Sequence, residues 1–375
     1  MRIGFDARMY GKAQSGIGNY IKQLTDGLFQ LDKANDYYLF LLEPIFRQYQ
    51  VPNERIHKVE VDAYWYSYAE QTKFLFEISK YKLDLMHFPH FNAPIFYNRP
   101  RITSIHDLTP LFFPGHKQKS WWRKKAYELT LKTSLKKSAK ILAASQTTKN
   151  DIIKHFSVNP AKIEVIYLGI ESQFKKIENY DKIKELKDKY GLKKPYLFFV
   201  SAWRNHKNFI GLIKAFELIR EKYNFDCQLV LAGQEDIHYP NISQTIAVSK
   251  YKTDIITPGF ISDDELVIFY NAAAIFVIPS FYEGFGLIGL EAMASGLPVV
   301  SSNSTSLPEV MDKAALYFNP HDTEEMAQTI HEVLTNKNLQ DQLIQLGFTQ
   351  SKKYNWQKTA LKTLESYNEI LNSKQ

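Results

Sequence analysis

Short apolar runs alternate with longer amphipathic segments along the whole chain, and this alternation limits the fold more than any other feature. Seven runs in the first half, at 2–6, 37–42, 58–61, 84–88, 102–105, 139–144 and 163–167, have the length of strands and are separated by segments long enough for helices. Connections of that length join parallel strands, so the pattern predicts an α/β protein with helices on both faces of a parallel sheet. A charged stretch from 171 to 194 interrupts the series with eight lysines among Asp and Glu, and it reads as a linker followed by a surface helix. The series restarts at 196–202, 228–232, 255–258, 275–279 and 298–302. Two Rossmann-like domains, residues 1–172 and 173–355, facing each other across a cleft, are the economical solution. Ligands of open parallel sheets bind beyond the carboxyl ends of the strands, so the residues after each run are the candidates for chemistry.

A chain of 375 residues, 45% hydrophobic and 23% charged, has material for two cores and not the composition of a disordered protein. Its single cysteine, Cys227, rules out an internal disulfide and a cysteine zinc site, which makes the cytoplasm the expected address. The first residues, Met1 to Asp6, lack the basic leader and apolar stretch of a signal peptide. The most apolar stretch, 272–281, falls short of the roughly 20 residues that span a bilayer. The net charge of +7 is concentrated, because residues 116–140 hold nine Lys and Arg against one acid, Glu128. Trp121, Trp122 and Tyr127 interleave with these charges. Two readings follow: a solvated helix with its aromatic groups on the core, or a helix that rests on anionic lipid at the inner membrane face. No nucleic-acid motif accompanies the patch, and nucleic acid is not expected as a partner.

After the first run, Gly16-Ile17-Gly18-Asn19-Tyr20 ends a glycine-bearing loop and opens a helix, where bare N–H groups face a phosphate. It fails the dinucleotide fingerprint because Ile21 stands where a third glycine belongs. His106-Asp107 follows the run at 102–105. His106 is a candidate polar site residue, with Asp107 able to orient its ring, and the alternative is a structural histidine. His87 and His90 have an HxxH spacing, but Pro89 breaks the helix that would align them, and no metal is expected.

The strongest signal lies at 278–300, around Pro279-Ser280-Phe281-Tyr282-Glu283-Gly284-Phe285-Gly286-Leu287-Ile288-Gly289-Leu290-Glu291. Glu283 follows a buried run, Gly284 and Gly286 present amides at a helix start, and Glu291 lies further along that helix. One carboxylate can take the hydroxyls of a sugar and the other those of a ribose, with the amides between them facing an anion. In outline this is a nucleotide-sugar pocket. The block resembles the retaining GT-B glycosyltransferases of family 4, whose hallmark is E-G-F-G-L-x-x-L-E-A-M-A-x-G-x-P-V-V. Further resemblance is carried by Gly16 to Tyr20, Ile105-His106-Asp107-Leu108, Lys207-Asn208, Leu231-Ala232-Gly233, Pro258-Gly259-Phe260, Tyr270, Leu307-Pro308-Glu309-Val310, and Trp356 ahead of a last helix.

The resemblance implies that Glu283 contacts the donor sugar, Glu291 the ribose, and Gly284, Phe285, Gly286 and Leu287 the hexose hydroxyls through their backbone. Lys207 resembles the lysine that neutralises the donor diphosphate. The arginine that usually accompanies it is replaced by Ala202, with Arg204 displaced toward Lys207 along the sequence as the substitute. Gly16 and Gly18 would form the phosphate loop, His106 would lie near the transferred hexose, and residues 356–375 would pack back on the first domain. Asp-x-Asp, the metal-binding pair of the other major glycosyltransferase fold, is absent from the sequence. A metal-independent, retaining hexosyltransferase is therefore expected, with GDP-mannose as donor and a glycan or polyprenyl-linked acceptor for surface polysaccharide. A UDP-sugar enzyme, a glucan or disaccharide synthase of the same fold, and a sugar-nucleotide-binding scaffold are the alternatives.

Overall fold

A computed structural model describes residues 1–11, 15–115 and 120–372. Residues 12–14 of the glycine-bearing loop, 116–119 of the basic segment and 373–375 lie outside the described residues. The chain divides into two compact units, Met1–Gly169 together with Asn355–Gln375, and Ile170–Tyr354.

The first unit is built on a sheet of seven parallel strands: β1 (Arg2–Asp6), β2 (Asp36–Leu41), β3 (Ile56–Glu60), β4 (Leu85–Phe88), β5 (Arg101–Ile105), β6 (Lys140–Ala143) and β7 (Ile163–Val165), in the order 3-2-1-4-5-6-7. β4 and β5 are buried at every position, as a strand covered on both faces requires. The helix Ser15–Leu31 lays Ile21, Leu24 and Leu28 on the sheet at helical spacing. The last helix, Trp356–Asn372, belongs to this unit's core through Trp356, Ala360, Tyr367 and Ile370. Small residues let it approach closely: a Cβ on Gly27 would lie 2.7 Å from that of Ala360, and one on Gly169 would lie 2.2 Å from the backbone of Trp356.

Six parallel strands form the second sheet, β8 (Tyr196–Val200), β9 (Gln228–Ala232), β10 (Ile255–Gly259), β11 (Ile275–Ile278), β12 (Val299–Ser302) and β13 (Ala315–Phe318), ordered 10-9-8-11-12-13. The charged stretch contributes the helix Tyr180–Tyr190, which buries Leu186 alone and stops at Gly191, φ +65°. β13, the short apolar run Ala315-Leu316-Tyr317-Phe318, is a strand absent from the sequence expectation, which ends at 302. Ser262 starts the helix Asp263–Ala272 by accepting the Glu265 N–H at 3.3 Å, while the Glu265 carboxylate accepts from Lys189 and Tyr190.

Candidate functional site

In the second unit the chemistry gathers at the carboxyl ends of β8, β11 and β12. Lys207 ends a 3-10 turn after β8 and donates to both carboxylate oxygens of Glu283, at 2.7 and 2.8 Å. Both side chains are largely buried, so the ion pair is only weakly screened by water. The turn is fixed by Asn208, which adopts φ +53° and caps the helix Phe209–Lys222. Its amide donates to the carbonyls of Pro279 and Pro320 at 3.1 and 3.0 Å, tying the turn after β8 to the end of β11.

Glu283 is itself held on all sides. Ser280 Oγ donates to Oε1 at 2.7 Å, the Glu283 N–H donates to Thr305 Oγ1 at 2.9 Å, and Thr305 and Ser306 hydroxyls donate to its carbonyl at 2.9 Å. Ser302 Oγ in turn donates to Ser280 O at 2.7 Å. These hydroxyls escaped the sequence reading, although a Ser/Thr run directly after β12 is the kind of position that topology singles out.

Gly286 precedes the helix Leu287–Ala294 with φ +91°, and a Cβ there would sit 2.6 Å from Leu307 Cδ2. Glycine is thus required for both conformation and space. Phe285 is buried edge-on against Tyr354. Glu291, on that helix, is buried and accepts the Tyr270 hydroxyl at 3.1 Å. Burial pushes its carboxyl up to about 8, against the lowering effect of Tyr270 and with further raising by Glu171 and Asp263. Arg204 is turned to β9's loop: its guanidinium lies 3.4 Å from Asp236 and over the Tyr239 ring.

In the first unit Gly16 is exposed and Gly18 buried, both within the first turn of the helix Ser15–Leu31. Gly11 donates back to Gly18 O at 3.2 Å. His106 follows β5, its Nε2 donating to Pro89 O at 2.9 Å and its ring meeting Tyr20 edge-on at 4.5 Å. Burial lowers its pKa, which favours the neutral ring. The ring bonds Pro89 and not Asp107, whose carboxylate instead accepts the Thr109 N–H at 2.7 Å. His87 and His90 do not converge either. His87 bonds Tyr367 and Ser104 at 2.5 and 2.8 Å, while His90 Nδ1 faces Asn92 and Tyr66.

The basic helix Trp121–Lys137 buries Tyr127, Leu131 and Leu135, yet Trp121 and Trp122 stack on each other at 3.6 Å and stand 59% and 67% exposed. The tryptophans therefore do not face the core. Among the described residues no helix is long and apolar enough to cross a membrane.

Comparison with known proteins places these features in a family. The model of Glycosyltransferase Family 4 matches residues 15–174, and that of Glycosyl transferases group 1 matches residues 181–350. O-antigen chain mannosyltransferase B of Escherichia coli is 28% identical over 98% of this chain and 99% of its own length. Sucrose-phosphate synthase from Thermosynechococcus elongatus superposes with a TM-score of 0.81 over all of both chains at 18% identity. HepE from Anabaena, solved in complex with UDP-glucose, gives 0.76 over 98% of this chain and all of its own at 15% identity. Those two structures carry the fold, and the sequence matches carry the family. The chain belongs to the family 4 glycosyltransferases and has their GT-B fold.

Proposed function

We propose that the protein transfers mannose from GDP-mannose, without a metal and with retention at the anomeric carbon, onto a glycan or lipid-linked oligosaccharide of a surface polysaccharide. The observation that carries this reading is the end-to-end similarity to a protein named as an O-antigen chain mannosyltransferase. The geometry is compatible in kind. Lys207 and the amides after Gly286 offer positive potential for a departing diphosphate, a role that needs no general base if the leaving phosphate takes the acceptor's proton. Glu283 and Glu291 are the acceptors for sugar and ribose hydroxyls, Gly284, Phe285 and Leu287 lend backbone groups, and Arg204 supplements Lys207. His106, neutral and fixed by Pro89, serves the transferred hexose, and Gly16 and Gly18 serve the donor phosphates.

A thermal-shift panel of GDP, UDP, dTDP and ADP with chelator present tests the donor. A ligand at 100 times its dissociation constant stabilises by about 2.7 kcal/mol, which such a panel resolves. Stabilisation by GDP alone, followed by mannose transfer with chelator present, is the expected result. Stabilisation by UDP alone moves the assignment to a UDP-sugar enzyme. The exposed Trp121–Trp122 stack among exposed Lys124, Lys125 and Lys136 supports attachment to anionic lipid. Sedimentation with phosphatidylglycerol vesicles at low salt, lost on replacing both tryptophans and the three lysines with serine, is the matching observation.

A further inference from the structure

We propose that the loop after β3 is a stacking platform for the sugar units of the acceptor, an inference that rests on the glycan-transfer reading above. Between Ala63 and Glu70 the chain places Tyr64, Tyr66 and Tyr68 within five residues, and these residues are 60%, 58% and 92% exposed. Clustered aromatic groups left open to water mark a binding surface more often than chance, since each forfeits the burial that its ring area favours.

The loop is built to hold this shape. Tyr66 adopts φ +59°, a conformation that a bulky residue keeps only when its surroundings enforce it. Here the enforcement is visible. The Tyr66 N–H donates to Glu70 Oε2 at 3.2 Å, its hydroxyl pairs with His90 Nδ1 at 3.1 Å, and its ring stacks on Phe91. Beneath the loop Glu70, Arg8 and Asn92 are all at least 97% buried, with Arg8 joined to Glu70 at 2.6 Å and to Asp6 at 2.7 Å. Asn92 donates to Glu70 at 2.7 Å, and Arg8 also donates to the Ala63 carbonyl at 3.0 Å. The tyrosine loop is thus bolted to the carboxyl ends of β1 and β4, on the edge that also carries His106.

The occupant follows from charge and shape. The one buried cation, Arg8, is outnumbered by the two carboxylates it joins, Asp6 and Glu70, and at the surface Lys73 is paired with Asp62 at 2.7 Å, so the tyrosines stand over a floor with no spare positive charge. That disfavours a phosphate or an anionic headgroup and suits a neutral pyranose. The slightly positive C–H groups on one side of a hexose ring fit the negative face of an aromatic ring, and tyrosine hydroxyls with the neutral His90 supply the hydrogen bonds. Tyr64 and Tyr68 are positioned to bind, and Tyr66 to hold both the platform and its polar floor.

The test uses the full chain with mannotriose, maltotriose and chitotriose as probes, and binding is read by saturation-transfer NMR after irradiation of the aromatic protons. Binding of at least one trisaccharide, weakened about tenfold or more in Tyr64→Ala/Tyr68→Ala and retained in Tyr64→Phe/Tyr68→Phe, is expected. Equal binding by the alanine variant overturns the platform, as does the absence of binding to all three. Slow transfer of the donor sugar to water, measured in the same samples, keeps the two readings apart. Its absence from the unaltered protein overturns the transferase reading while the binding result still judges the loop.

Discussion

Glu291→Gln isolates the price of a buried acid. The carboxyl moves from 4.5 to about 8 because the fold takes it out of water, and the Tyr270 hydroxyl only partly offsets this. The folded chain therefore keeps a proton that the unfolded chain has already lost at pH between about 4.5 and 8. A folded state that binds more protons loses stability as pH rises through that window, by about 1.4 kcal/mol per pH unit and by ~5 kcal/mol in all, an upper bound because relaxation and water entry reduce it. Glutamine preserves the shape and an acceptor for Tyr270 but cannot ionise. Urea unfolding followed by circular dichroism at half-unit steps from pH 5 to 9 should show the two proteins diverging up to about pH 8 and running parallel beyond it, with the variant more stable above pH 7. His87 and His90, held neutral by burial with values near 3 and 4, impose the opposite slope below pH 6.5. They are present in both proteins and cancel in the difference. Parallel profiles, with a difference that stays within about 0.5 kcal/mol across the range, would refute the account of Glu291.

Three further outcomes follow from the geometry. Gly286→Ala should lower the unfolding free energy by about 2 kcal/mol, because alanine is strained at φ +91° and its methyl meets Leu307; urea midpoints check this. Lys207→Met should destabilise by about 2 kcal/mol by leaving Glu283 with Ser280 as its hydroxyl donor, and adding Glu283→Gln should restore at least half of the loss in a double-mutant cycle. Tyr367→Phe leaves buried His87 Nδ1 without its 2.5 Å partner and should destabilise the first unit by about 1–2 kcal/mol, while GDP affinity measured by calorimetry stays within twofold.

The strands were legible because parallel strands buried on both faces are written as continuous apolar runs, and every run noted falls on a strand. β13 escaped although Ala315-Leu316-Tyr317-Phe318 is itself an apolar run, because four apolar residues are too few to tell a strand from a turn of buried helix. Within the site, Glu283 was legible as a polar group after a buried run, and Lys207 only through the family resemblance. Their direct pairing across 76 positions did not show, since nothing in a sequence encodes which of many charges meet. The same limit hid Tyr270 on Glu291, and it misdirected Asp107. A neighbouring carboxylate was expected to orient His106, but an acid two residues before a backbone N–H is better placed to accept it. Exposure was equally invisible: Trp122 and Tyr127 share one helix, and only their phase on it sends one to solvent and the other to the core.

Partner identity also changes the electrostatics of the proposed donor site. Assigning Lys207 to a diphosphate counts one positive charge, yet that charge is already balanced by Glu283 at 2.7 Å. The ammonium has three N–H groups and spends two on the carboxylate, so it can reach a phosphate oxygen without releasing Glu283, but the pair together brings no net charge. A diphosphate carrying at least two negative charges then needs stabilisation from other groups. The start of the helix Leu287–Ala294, which no side chain caps, supplies about half a charge. Arg204 supplies a whole one at small expense, because its pair with Asp236 is 3.4 Å long and its side chain 43% exposed, the kind of contact that contributes little and exchanges readily. Under the proposed donor assignment Lys207 acts chiefly by holding Glu283 in place while donating one bond to the leaving group, and the remaining positive potential falls to the helix end and to Arg204 once it parts from Asp236.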